Sequence, residues 1–161
     1  MIKSAYKSTT SNKINNLINK GDYKYLNMCP LEDYNIVKLQ SSNHSAIQKV
    51  SINGDKILGY FEAEIDRFNN SIVGTMFVKF KYTYNDEDYK IARQDLDEFI
   101  ESLMNNYSNV TIKSIKDNSA NFLYMKWVER YGGVKYELSN YCKLVDGKRY
   151  DVNMYYFDRR I

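Results

Sequence analysis

The sequence predicts a single α+β domain, residues 1–161, built on one mixed, mostly antiparallel sheet flanked by helices. Three observations lead there. Asn53-Gly54 and Asp146-Gly147 each separate segments of alternating apolar and polar residues, the mark of β-hairpins. Between them, residues 89–103 repeat apolar positions every three or four, as a helix with one buried face does. A second helical segment then stops at Gly132-Gly133, where glycine can adopt the left-handed conformation of a helix end.

Taken in order, residues 2–8 alternate weakly and predict a first strand. Thr9, Thr10 and Ser11 offer caps for a helix carrying Ile14, Leu17 and Ile18, ended by Gly21. Pro30 suits the first turn of another helix, because its missing N–H has no partner there in any case; Leu31, Tyr34, Ile36 and Val37 would form its apolar side. Strands follow at 46–52, 56–66 and 72–82, with Phe61, Ala63 and Ile65 on one face and Tyr60, Glu62, Glu64 and Asp66 on the other. Gly59 and Gly74 fall inside strands, where glycine marks a bulge or a close backbone approach.

Asn85 can cap the next helix, with Asp88 placed to reach back to it as in a capping box. Tyr89, Ala92, Leu96, Phe99, Ile100 and Leu103 give that helix its apolar side. Residues 109–116 read as a short strand. Asn118 or Ser119 then caps a helix burying Phe122 or Leu123, Trp127 and Tyr131. Segments 134–144 and 148–157 close the chain as a hairpin, giving the order β-α-α-β-β-β-α-β-α-β-β.

Composition excludes several functions. Lys and Arg outnumber Asp and Glu by only 23 to 20 and form no run, so a nucleic-acid partner is not expected. His44 is the sole histidine, in a polar loop, which leaves no basis for a zinc site or a Ser-His-Asp triad. Cys29 and Cys142 lack metal spacing, so no metal is expected and reduced thiols are. No apolar run approaches the ~18 residues of a membrane span, and the start lacks a signal-peptide core. The expected location is the cytoplasm, or a virion if the chain is phage-encoded, and not outside the cell. The 16 tyrosines, each an apolar ring with one polar tip, suit half-buried surfaces and point to a protein partner or a homo-oligomer. Abundant Lys, Asn, Ile and Tyr fit an AT-rich genome of low-GC bacteria or their phages.

The element order, together with the passages ILGYFEAEID, NFLYMKWVERYGG and VDGKRYDVNMYYF, resembles the GNAT superfamily of acyl-CoA-dependent N-acyltransferases over nearly the whole chain. That resemblance implies acetyl-CoA in a cleft between the fourth and fifth strands, its pantetheine arm along the backbone of Phe77, Val78, Lys79 and Phe80. It also implies a glycine-rich loop whose amides hold the pyrophosphate. Here Arg93, Asp95 and Asp97 occupy the small-residue positions of that loop, and the helix begins Asn85-Asp86-Glu87-Asp88. Carboxylates at a helix start compete with a phosphate for the same N–H donors; Lys90 and Arg93 are the cations that would offset them, or are simply a solvated helix face. Val128 stands where the family's tyrosine protonates the departing thiolate, with Tyr124 and Tyr131 as neighbouring substitutes or as packing residues. Glu62 and Glu64 are candidate bases for the acceptor amine, or the wet side of a half-buried strand.

Two readings follow. The residues favour a catalytically degenerate GNAT-like domain that binds a protein or serves as a structural module, without cofactor, its composition fitting a phage-encoded virion component. The alternative is an active, divergent N-acyltransferase that moves an acetyl group from acetyl-CoA to an amine.

Overall fold

The computed structural model describes residues 2–4, 12–17, 45–80, 85–144 and 147–159. The helix expected after Pro30, together with Cys29, His44 and Asp146, lies outside them. Strand β1 (Ile2–Ser4) is followed by helix α1 (residues 12–17). Next come β2 (Ala46–Asn53), β3 (Lys56–Asp66) and β4 (Ser71–Lys79). Helix α2 (Asp86–Asn106), β5 (Asn109–Ile115), α3 (Asn121–Tyr131), β6 (Val134–Lys143) and β7 (Arg149–Asp158) complete the chain. The strands form one seven-stranded sheet in the order β1-β2-β3-β4-β5-β7-β6. Among the described strands only β4 and β5 run parallel; every other neighbouring pair is antiparallel.

One face of the sheet carries α2 and α3. Phe61, Ala63, Ile72, Val110, Ile112, Tyr155 and Phe157 meet Phe99, Ile100, Leu103, Tyr124 and Trp127 there in the main core. The opposite face holds a smaller core of Ile14 from α1 with Val50, Tyr60, Val78 and Phe80. Tyr60 is therefore 0% exposed rather than on a wet face, because α1 covers that end of β3. Its hydroxyl donates to Glu62, and desolvation together with that neighbouring carboxylate pushes the phenol far above its usual value.

Helix α2 starts where expected: the Asn85 side chain accepts from the Asp88 N–H at 2.8 Å. The Asp88 carboxylate does not reach back to the cap, as a capping box would have it. It is buried against the β2–β3 turn and accepts from Asn53 Nδ2 at 2.8 Å and Lys56 Nζ at 3.1 Å. Two turns on, buried Asp95 accepts from Ser51 Oγ at 2.6 Å. The face of α2 that meets β2 is therefore tied by carboxylates as well as apolar packing. Tyr89, expected on the apolar side, is 52% exposed.

The Asn53 amide, followed by Lys56, holds Asp88 below the ordinary carboxylate value. A carboxylate whose folded pKa is depressed stabilises the fold above its unfolded pKa and loses that contribution as pH falls through the folded value. Melting temperature should therefore fall as pH drops below about 4. Asp88→Asn should melt lower at neutral pH and show a flatter acid limb; an unchanged acid limb would remove Asp88 from the account.

Helix α3 begins later than the cap residues suggested. Asn118 Oδ1 accepts from Ala120 N–H at 2.9 Å, but this caps the preceding turn, and α3 itself has no side-chain cap. Of the two residues offered, Phe122 points outward, 70% exposed beside Lys126, and Leu123 packs against the core, while Trp127, as expected, and Tyr124 face the sheet. Tyr131 is only half-buried. Gly132 ends the helix at φ 72°, as the sequence indicated.

Candidate active site

The site is built by a defect in β4. Glu64 pairs with Gly74 but Ile65 pairs with Ile72, so Val73 is an extra residue in β4. Such a bulge bends the strand and increases its twist. It lies immediately after the two residues through which β4 meets β5, Ser71 opposite Asn109 and Ile72 opposite Val110. Beyond Val73 the parallel pairing stops and a fork opens.

The bulge also switches the alternation, so that Ile72, Thr75 and Phe77 all face α2 and α3. Backbone direction follows from one bond. Phe80 N–H donates to Leu58 O at 2.9 Å, so even-numbered residues of this part of β4 turn towards β3. Thr75 and Phe77 thus direct their N–H and C=O groups into the fork. On the same face, Thr75 Oγ1 is buried without a hydrogen-bond partner.

A cavity of about 180 Å³ lies beside this edge, lined by β3, by Phe77–Lys79 of β4, by Tyr89 and Arg93 of α2, and by Tyr124 of α3. Val78 contributes through its backbone, since its side chain belongs to the core on the opposite face. The inner wall is aromatic. Phe77 stands edge-on to Trp127 at 5.9 Å and 6.3 Å from Tyr124, whose ring is 5.3 Å from Trp127. Burial, with Tyr155 adding to it, raises the Tyr124 phenol well above its usual value, so it stays protonated throughout the working pH range.

The outer wall carries cations. Lys79 Nζ sits 3.8 Å over the Tyr89 ring, and Arg93 Nε donates to Asp97 Oδ2 at 2.9 Å. Asp97 Oδ1 in turn accepts from Trp127 Nε1 at 3.3 Å, so one carboxylate orients both the guanidinium and the indole. A molecule with an extended amide arm and an anionic end matches this surface: backbone groups along one edge and two cations beyond.

The remaining sequence candidates fall elsewhere. Phe80 points to the α1 face, where with Lys13, Leu17 and Lys56 it lines a separate hollow of about 370 Å³. Lys90 is exposed and does not line the fork cavity. Tyr131 is not on the cavity wall; beside Arg130, Glu101 and Asp97, its phenol is raised chiefly by burial. Glu62 accepts from Tyr60 and from Gln48 Nε2 at 3.1 Å, which makes it a tied group. Glu64 is exposed, and a Cβ on Gly74 would lie 2.6 Å from its Oε2. Glycine at 74 therefore leaves room for the Glu64 carboxylate to lie across β4. Residues 93–97 are interior to α2, so their amides are used within the helix and form no phosphate loop. Thr75 was missed: its one signal in the sequence was its place next to Gly74.

Among the described residues, no group of His, Cys, Asp and Glu could hold a metal, and no helix is long and apolar enough to cross a membrane. No family model matches the sequence, and no curated protein matches it. Solved structures do match. A spermidine N-acetyltransferase from Vibrio cholerae, in complex with CoA and spermine, superimposes with a TM-score of 0.70 at 16% identity, covering 99% of this chain and 95% of that one. A ribosomal-protein-alanine N-acetyltransferase from Brucella melitensis gives 0.69 at 13% identity, with 98% and 99% covered. A probable GNAT-family acetyltransferase from Chromobacterium violaceum gives 0.69 at 14%, with 98% and 86% covered. A single mixed sheet whose one parallel pair opens into a fork, matched over nearly its full length by these proteins, is the fold of the GNAT acetyltransferases.

Proposed function

We propose that the chain is an acyl-CoA-dependent N-acyltransferase acting on an amine. The observation that carries this reading is the fork itself: β4 leaves β5 at Val73, and beside its free edge Phe77 lines a cavity of about 180 Å³ with cations at its outer wall. Acyl-CoA would supply an activated thioester. In this reading Thr75 and Phe77 hold the extended amide arm, while Lys79 and Arg93 meet the phosphates. The Tyr124 phenol donates a proton to the departing thiolate. Glu64, reaching over Gly74, accepts the proton that the amine loses. The match to acetyltransferases, including a CoA complex, supports this order of the two readings.

Three observations favour the other reading, a non-catalytic binding module. Residues 93–97 are helical, acids open α2, and Val128 occupies the family's tyrosine position. Thermal shift or calorimetry with acetyl-CoA separates the two. At a ligand concentration 100 times Kd, the fold should gain about 2.7 kcal/mol. No shift at millimolar acetyl-CoA would return the module reading to first place.

A further inference from the structure

Among the described residues that line the fork cavity, two are charged, Lys79 and Arg93. Both are held in place. The Lys79 ammonium lies 3.8 Å over the Tyr89 ring. Arg93 Nε donates to Asp97 Oδ2 at 2.9 Å, which leaves the terminal N–H groups of the guanidinium to a second anion. A guanidinium edge and one ammonium, with Asp97 already offsetting part of their charge, suit a single phosphate.

Along α2 the surroundings of that point are acidic. Asp86, Tyr89, Arg93 and Asp97 follow one another at spacings of three and four residues, so they share one stripe of the helix. Asp97 lies one turn beyond Arg93. Asp86 is exposed two turns before it, ~10 Å along the axis, with Glu87 exposed beside it. Lys90, off the cavity wall, can offset one of these two carboxylates and leaves that end of α2 negative. Two amides of the helix start are also taken: Asp88 N–H donates to the Asn85 side chain at 2.8 Å, and Tyr89 N–H to Asn85 O at 3.1 Å. A phosphate beyond the first therefore approaches carboxylates instead of cations.

We propose that the site recognises its donor by the 4′-phosphopantetheine portion alone: the amide arm at the free edge of β4 and one phosphate between Lys79 and Arg93. The nucleotide of CoA, which carries the remaining phosphates, stays in solvent. This rests on the acyl-transfer reading and narrows it, by naming where recognition of the donor stops. Arg93 and Asp86 set that limit, the first by holding a phosphate and the second by repelling the next.

Calorimetry of the full chain with CoA, 4′-phosphopantetheine and pantetheine tests it and needs no acceptor amine. CoA and 4′-phosphopantetheine should bind with Kd values within about threefold of each other. Pantetheine should bind at least about tenfold more weakly, because it lacks the charge-assisted contact. Arg93→Met should bring 4′-phosphopantetheine to within about threefold of pantetheine. Asp86→Lys should shift the balance towards CoA over 4′-phosphopantetheine by about threefold or more, a change that a structural role for Asp86 would not produce. Melting curves check that both variants fold, and the comparison of ligands on the native chain stands without them. CoA binding more than threefold tighter than 4′-phosphopantetheine would overturn the proposal and leave the acyl-transfer reading in place. Pantetheine as tight as 4′-phosphopantetheine, or a balance unmoved by Asp86→Lys, would overturn it too. Absence of binding by all three at millimolar concentration would remove the acyl-transfer reading, and this proposal with it.

Discussion

Replacing Trp127 with alanine is expected to cost about 3–5 kcal/mol of stability, the range for removing a large buried aromatic side chain. Trp127 is 2% exposed and packs against Phe77 and Tyr124. It is the element of α3 that meets both β4 and α2, through Phe77 on one side and Asp97 on the other. Beside an open fork the neighbouring side chains can collapse only partly, because β5 offers no pairing there to draw β4 inward. Urea unfolding should therefore show a lower midpoint with an unchanged slope. Trp127→Phe keeps most of the ring packing but strands one oxygen of Asp97, and should cost about 1–2 kcal/mol. A loss below 1 kcal/mol for the alanine variant would mean that the aromatic wall is not part of the cooperative core.

The fold was legible because local chemistry and global arrangement agree in the sequence. Asn53-Gly54 turns with Gly54 at φ 57°, Asn85 caps α2, and Gly132 stops α3 at φ 72°. Each of these signals acts within a few residues. The readings that failed depended on partners far along the chain. Asp88, expected to reach back to the cap, turns instead to Asn53 and Lys56, and Asp95, expected at a loop position, is buried in the helix against Ser51. Tyr60 sits on the polar side of β3 by alternation, yet α1 buries it. Of the two side chains offered for the buried face of α3, Leu123 packs against the core and Phe122 points outward.

The site was legible in part, for the same physical reason. The backbone of residues 77–79 and the cation of Arg93 reach the cavity, since strand and helix directions place them there. What sequence could not give was the depth of the fork, which depends on how far the bulge at Val73 turns β4 away from β5. Gly74 hinted at it, but its second role, making room for Glu64, needs the neighbouring strand. Lys90 and Arg93 were indistinguishable as helix cations. Only the direction of the face separates the exposed one from the one on the cavity wall, and Asp97 then orients Arg93.

Under the acyl-transfer reading proposed above, Tyr124→Phe is expected to lower kcat by about 10²-fold or more, the usual contribution of a positioned general acid, with little change in acyl-CoA affinity. Tyr131→Phe should leave kcat within about twofold, since that phenol is off the cavity wall and removing a hydroxyl that touches no reacting atom does not alter the transition state. The pH profile carries the sharper signature. Tyr124 is held protonated by burial, so the rate should rise with pH as the acceptor amine loses its proton and should show no descending limb from the phenol at any accessible pH. Tyr124→Phe should lower the whole curve without moving its midpoint. The phenylalanine ring preserves the contacts to Trp127, Phe77 and Tyr155, so stability should change little and lost activity cannot be ascribed to unfolding. If Tyr124→Phe and Tyr131→Phe are equally active, the leaving thiolate takes its proton from water. In that case Tyr124 serves only as the aromatic wall of the fork, a role that phenylalanine fills as well.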